Sequence, residues 1–498
     1  GSPMAGRPRL RLTGFVSFVV RMASLASGLI FSVIVARRLS EEDFGAWTYV
    51  GRLVSYFAVT ASFISFWAGR DAGRGGKPLK TALAGSVLMS LILSIAYLGV
   101  VAFSAEAIGR EPWVVMLGLI QLPILHLLNT AEGVSYGHKP IASAYGFAVF
   151  EVAKVASAVV AVYFLGLGLA GVFISLALAQ LLQASILIYL QRNILGSFRF
   201  GDLLRWLKGF TVPLLTVLGG FVYGLDVFLG GVLYGSALPL AYWQAALTVA
   251  LVVGMYNNLV LGLYPVLLGG GGSRDIEKVF RFAMLLGVPL LFGALILGRD
   301  ILQLLRPAYA EASSILVVLS ISYFINGLSY FFTSVVGGLD EVDKRSDVSL
   351  ADYLRSGIFR YNLFYLVLAS AYVAAFSFAT MYAKSAAMSH LETAQLWAYA
   401  HLGFSISLTT VGYLFSRRRI KFQLPAKPLA KYIIAALLMT AAITPIYLII
   451  PPSNTAIIQL TRIITILLTG AAAYTATIML IDTEAKTMIK LVFNRMFS

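Results

Sequence analysis

The chain contains no cysteine among its 498 residues. That excludes disulfides, thiolate metal sites and a cysteine nucleophile, and it leaves the redox compartment unread. Charge is also scarce, since Asp, Glu, Lys and Arg make up only 12% of the residues. The four histidines, His126, His138, His390 and His401, are scattered at spacings that match no metal motif. No Ser/His/Asp set, HExxH or deaminase-like pattern occurs. The tetraglycine Gly269 to Gly272 precedes no Gly-Lys-Ser/Thr, so it reads as a flexible link and not a phosphate loop. A non-enzyme without a metal or an organic cofactor is expected.

What is present is apolar. Hydrophobic residues make up 59% of the chain and the mean hydropathy is +0.85, more than any soluble core of this size requires. The fold class is therefore an all-α polytopic membrane protein. Gly1-Ser2-Pro3 before Met4 reads as a cloning remnant. Arg7, Arg9 and Arg11 lead into an apolar segment with no small-residue cleavage pattern, so a first span is expected in place of a signal peptide.

Apolar runs of about 20 residues place spans near 13–35, 44–69, 82–103, 113–135, 141–164 and 169–190. Further spans fall near 209–233, 240–264, 281–298, 313–337, 358–383 and 393–415, then 432–450 and 456–480. The expected organisation is an amino-terminal segment 1–12, an N-lobe 13–190 and a connector 191–208. A C-lobe 209–415, a basic connector 416–431, two closing helices in 432–480 and a tail 481–498 follow.

The net charge of +16 would raise nucleic acid as a partner in a soluble protein. Here membrane topology accounts for it, and no nucleic acid is expected. With fourteen spans, one side holds only Arg37, Arg38, Arg110, Arg299, Arg306 and Lys384 of the 38 basic residues. Four more, Arg21, Arg52, Lys154 and Arg462, fall within spans, and all the rest lie on the other side. By the positive-inside rule both termini are cytoplasmic. Every outward loop is short, which argues against a glycan polymerase or ligase with a catalytic ectodomain. The longest polar interruption, Gly338 to Gly357, carries Val342, Val348, Leu350 and Leu354; it is either a surface helix on the membrane or a solvated connector.

Arg21 and Arg52 organise the reading of function. Counted from Thr13 and Phe44, each lies roughly 12 Å into the bilayer from opposite sides at 1.5 Å per residue. In a hydrocarbon core of about 30 Å both are near the middle. A charge there costs at least ~2.5–3.5 kcal/mol and normally faces a wet cavity or a partner. The competing reading is that each snorkels or pairs with a carboxylate. Two on neighbouring helices suggest an anion site.

Glu151 and Lys154 stand three apart on one helix and share a face. Glu151 pairs either with Lys154 or with an arginine, and the second case leaves Lys154 as the open cation. Asp226 follows Gly219, Gly220 and Gly224 in a span that contains Pro213, where a helix bends and a carboxylate reaches a cavity. It is either a site for a coupling cation, Na+ or H+, or a structural counter-ion. Tyr49, Tyr56, Tyr223, Tyr242 and Trp243 are candidates for stacking on sugars, against the commoner role of packing or interfacial belt. Glu132 and Arg462 are expected at the interfaces. LSEEDFGAWTYV (Leu39 to Val50) and GSALPLAYWQAA (Gly235 to Ala246) share a polar turn and an aromatic-rich helix start, which suggests two pseudo-symmetric six-helix bundles around a central cavity.

The stretch ARRLSEEDFG (Ala36 to Gly45) with its aromatic-rich following helix resembles the first hairpin of the polysaccharide transporter family. These are the oligosaccharide flippases of the multidrug/oligosaccharidyl-lipid/polysaccharide exporter superfamily. VPLLTVLGGFVYGLDVFLGGVLYG (Val212 to Gly235) and LLRPAYAEASSILVVLSISYF (Leu304 to Phe324) resemble its later spans in the family's order. DYLRSGIFRYN (Asp352 to Asn362) looks most like archaeal members. The resemblance implies a monomeric flippase of a prokaryotic plasma membrane, moving a lipid-linked oligosaccharide outward by alternating access. Arg21, Arg52 and Lys154 would hold the diphosphate. The alternative it implies is a cation-coupled drug or small-molecule antiporter of the same superfamily, which usually has twelve spans, with Asp226 as the ion site.

Overall fold

The computed structural model describes residues 24, 27–263, 267, 271–339 and 355–487. Arg21 and the apolar residues Val342, Val348, Leu350 and Leu354 lie outside the described residues, as do Gly269 and Gly270. Among the described residues the chain is helical and contains no strand. In chain order the helices are α1 (27–38), α2 (Glu41–Gly73), α3 (Leu79–Ala107), α4 (Pro112–His138), α5 (Ile141–Phe164) and α6 (Gly168–Leu190). The short α7 (Phe200–Lys208) precedes α8 (Thr211–Tyr223), α9 (Asp226–Tyr234) and α10 (Leu238–Gly254). Then come α11 (Ser273–Leu305), α12 (Ser313–Gly338), α13 (Gly357–Ser385), α14 (His390–Arg419), α15 (Ala426–Ile449) and α16 (Ala456–Ile481).

Twelve helices among the described residues are long and apolar enough to cross a membrane. The two other expected spans fall at α1, whose described residues are 27–38, and at the 30-residue α14. The structure is thus the expected all-α polytopic membrane protein. Large apolar side chains face outward along α3, where Leu88, Leu91, Ile92 and Ile95 are all more than half exposed, as suits contact with lipid.

The chain divides into two compact units, Gly1–Ala241 and Tyr242–Ser498. In the first unit the polar turn works as a helix start: the Ser40 hydroxyl accepts the Asp43 amide at 3.1 Å, and Glu41, Glu42 and Asp43 occupy the first turn of α2, where carboxylates favour the helix dipole. Arg110, from the loop after α3, pairs with Glu42 at 3.3 Å and with Asp43. Gly69 and Gly73 on α2 meet Gly133 and Gly137 on α4, a paired small-xxx-small crossing. A Cβ on Gly137 would stand 1.9 Å from the Gly69 carbonyl oxygen. Gly137→Leu is therefore expected to lower stability by about 3 kcal/mol, the upper end for overpacking. Gly99→Leu, where nothing lies within 4 Å, serves as the control. Equal unfolding midpoints for the two variants in detergent would show that the crossing is not tight.

The repeat suggested by the turns extends into the helices. Ser236 stands just before α10, its hydroxyl accepting the Leu238 amide at 3.2 Å, as Ser40 stands before α2. The α-helix from Ser40 gives way to a 3-10 turn at Val59, and the one from Ser236 does so at Met255, the same offset in residues. Trp47 and Trp243 hold matching places between cap and break. Interruptions of this kind inside spans commonly mark hinges.

In the second unit, Tyr256, Phe280, Met284, Phe331, Tyr432, Met439 and Tyr474 form one core. The closing hairpin α15–α16 packs on α11. At one end Arg281 of α11 pairs with Asp482 at 3.2 Å and with Glu484. In the middle the Tyr474 hydroxyl donates to the Leu285 carbonyl at 2.9 Å.

Candidate functional site

Arg52 lies 11 residues into α2, about 16 Å along the helix, and its side chain is half-buried. The neighbouring surface is made by the break between α8 and α9. There the Gly224 and Leu225 amides bond back to Gly220 and Val222 at 3.0 and 3.1 Å, and α9 starts at Asp226. A Cβ on Gly224 would stand 3.8 Å from Nη1 of Arg52, so the guanidinium lies beside this break. The Tyr56 hydroxyl donates to the Gly224 carbonyl.

Asp226 is buried, at 4% exposure, and accepts the Val227 amide at 2.7 Å. Its place at the first turn of α9 puts the carboxylate at the positive end of the helix. Aromatic rings surround the group: Tyr56 packs edge-on against Phe221 and Phe228 at 5.6 and 6.1 Å, and Tyr49 stacks on Phe228 at 5.7 Å. Tyr223 is half-buried in the same helix as Phe221. This span packs on α2 through Phe221 and Phe228, which both meet Tyr56.

A second polar group lies between α1 and α5. Lys154 and Glu151 are each 8% exposed, with Nζ 2.7 Å from Oε2. Ser27 of α1 donates its hydroxyl to the same Oε2. The ammonium also faces the rings of Phe150 at 4.9 Å and Phe31 at 5.7 Å. Of the two pairings open to Glu151, this is the one with Lys154. The last turns of α5, Val159–Phe164, are π-helical, a form frequent at functional sites.

Tyr242 and Trp243 belong to the second unit, Tyr242 edge-on to Tyr309 at 5.6 Å and Trp243 against Trp397, Phe376 and His401 at 6.0–6.3 Å. Trp243 is only 2% exposed, so in this conformation it is packing. Sequence reasoning overlooked Ser27 and Phe31, whose only signal is their helical spacing on α1.

Arg462, expected at the interface, lies near the start of α16 and is buried at 2% exposure beside Asp300. Nε of Arg462 lies 3.3 Å from Oδ1 of Asp300. Gln459 donates to that oxygen and to the Asp300 carbonyl, both at 3.0 Å. The guanidinium stacks 4.4 Å from the Tyr447 ring centre. The physical reason is α11, which runs far enough to bring Asp300 against α15 and α16. Among the described residues no group of three or more His, Asp or Glu is arranged to hold a metal ion.

No protein-family model matches the sequence, and no curated protein matches it either. Solved structures do. The lipid II flippase MurJ in an inward closed conformation superposes with a TM-score of 0.63 at 14% identity, covering 94% of this chain and 98% of that one. An inward-facing multidrug resistance MATE family transporter of the MOP superfamily gives 0.59 at 14%, covering 84% and 99%. A MATE structure in complex with MaL6 gives 0.54 at 14%, covering 85% and 96%. At such identities the likeness is one of fold, and that fold is the one shared by a lipid II flippase and by multidrug transporters of the MOP superfamily.

Proposed function

We propose that this chain is a flippase that carries an oligosaccharide linked to a polyprenyl or dolichyl phosphate or diphosphate from the cytoplasmic to the outer leaflet by alternating access. Its product would serve cell-surface glycan or glycoprotein synthesis in a prokaryotic plasma membrane, and it would act as a monomer with both termini cytoplasmic. The observation that carries the reading is Arg52, a half-buried guanidinium in the interior of a membrane-spanning helix, set beside the Gly224 break to which Tyr56 bonds and at which Asp226 begins α9. A guanidinium fork matches phosphate oxygens and holds them bidentately. Arg21, which the sequence puts in the preceding span, would supply the second arm. Lys154 joins them only if its pair with Glu151 opens on the substrate. Half-buried Tyr56 and Tyr223 present rings for sugars, while the lipid tail stays in the bilayer. Na+ or H+ coupling, where it operates, falls to Asp226 or Glu151.

A second reading, a cation-coupled multidrug or small-molecule antiporter, is favoured by the buried carboxylate of Asp226 at a helix start and by the likeness of fold to MATE transporters. The two part on phosphate. Binding of a polyprenyl-diphosphate-linked sugar to the protein in nanodiscs is expected to weaken roughly 10- to 100-fold in Arg52→Ala, since a hydrogen bond to a charged group contributes ~1.5–3 kcal/mol. Arg52→Lys keeps the charge without the fork and falls between. Equal binding by all three proteins would remove Arg52 from the phosphate site, and no binding by the unsubstituted protein would favour the antiporter.

A further inference from the structure

The connector between α6 and α8 holds a surface that transport does not use. Its helix α7 has two apolar faces. One is inside: Leu203 and Trp206, 4% and 2% exposed, join Ile64, Ala68, Leu79 and Val134 in a closed core. The Trp206 indole donates to Asp71 at 2.9 Å, and Arg205 pairs with the same carboxylate at 2.7 Å. The helix is therefore fixed to the first unit.

The other face is outside. Phe200 and Leu204, one turn apart, are 64% and 41% exposed, and Phe198 and Phe210 on either side are 46% and 43% exposed. Lys208 continues the stripe of Phe200 and Leu204 at the next turn, since residues four apart share a helix face. Exposed Arg199 begins the helix, and exposed Lys80 is held close by its amide bond to the Leu195 carbonyl at 2.8 Å. The Thr81 hydroxyl ties the two segments together, accepting the Arg199 amide at 3.0 Å.

Apolar rings alternating with basic side chains, rigidly mounted between two membrane spans, suit one occupant. The rings enter the shallow hydrocarbon and the cations meet negative headgroups. We infer that α7 and the adjoining Lys80 segment form a recognition surface for anionic phospholipid headgroups in the leaflet at this end of the bundle. Charge complementarity commits the surface to lipid; a water-facing acidic partner would leave Phe198, Phe200 and Leu204 in water.

Because the chain has no cysteine, Leu204→Cys can carry a single environment-sensitive fluorophore. In nanodiscs the label is expected to be quenched by lipids spin-labelled near the headgroup, and a label at Arg74→Cys, in the exposed turn after α2, is expected not to be. Native mass spectrometry is expected to show phosphatidylglycerol retained over phosphatidylcholine. That preference should fall roughly fivefold for each basic residue removed in Lys80→Gln, Arg199→Gln and Lys208→Gln. All three side chains are exposed, so the unfolding midpoint should stay put and exclude misfolding as the cause. An unquenched label at 204 overturns the membrane seating. Quenching with no preference for phosphatidylglycerol, or a preference untouched in the triple variant, overturns the headgroup recognition.

Discussion

Asp300→Ala is expected to lower the stability of the folded protein by about 3–5 kcal/mol, the loss that follows when one partner of a buried ion pair is removed. The measurement is the unfolding midpoint of purified protein in detergent. Arg462 would keep its burial at 2% exposure and lose the carboxylate at 3.3 Å, and Gln459 would lose one of its two acceptors on Asp300. The ring of Tyr447 offsets only part of this, since a cation over an aromatic face contributes ~0.5–2 kcal/mol. Asp300→Leu combined with Arg462→Met is expected to recover most of the loss, because a buried pair replaced by apolar groups of similar volume is often neutral. The hairpin α15–α16 stays on α11 in either variant through Arg281 and Asp482. A midpoint unchanged by Asp300→Ala would mean that Arg462 reaches water and that the pair is not buried in the membrane-embedded protein.

The helices themselves were legible, and the reason is the bilayer. A solvent about 30 Å thick that satisfies no backbone group demands long apolar helices, so thirteen of the fourteen expected spans coincide with described helices to within a turn or two. The two polar turns were legible too, since Ser40 with its acidic turn and Ser236 are local signals. The pair Glu151 and Lys154 could be read because residues three apart on a helix must be neighbours. Asp300 and Arg462 could not, for nothing local links positions on different helices, and each alone looks like a charge at a helix end. The aromatic candidates divide for the same reason. Tyr56 and Trp243 follow equivalent polar turns, yet one edges the Gly224 break and the other is enclosed by Phe376, Trp397 and His401. Which of them meets a ligand depends on neighbours that no periodicity encodes.

Glu151→Gln tests the other buried pair and bears on transport as well as stability. Glutamine preserves volume and can still accept from Ser27, but it leaves the Lys154 ammonium at 8% exposure with no counter-charge at 2.7 Å. A loss of about 3 kcal/mol is expected, the lower end for a broken buried pair, because Phe31 and Phe150 still face the cation. Adding Lys154→Met should restore the unfolding midpoint. With stability restored, binding separates the two roles open to Lys154. As a closed pair, Glu151 and Lys154 are neutral together, so the double variant is expected to bind the diphosphate-linked sugar as the unsubstituted protein does, with Arg21 and Arg52 untouched. Glu151→Gln alone frees the Lys154 ammonium from its carboxylate, and it should bind the sugar more tightly and with a steeper dependence on salt. Weaker binding by the double variant would instead make Lys154 a ligand of the phosphate, and the pair with Glu151 the contact that must open before the substrate is held.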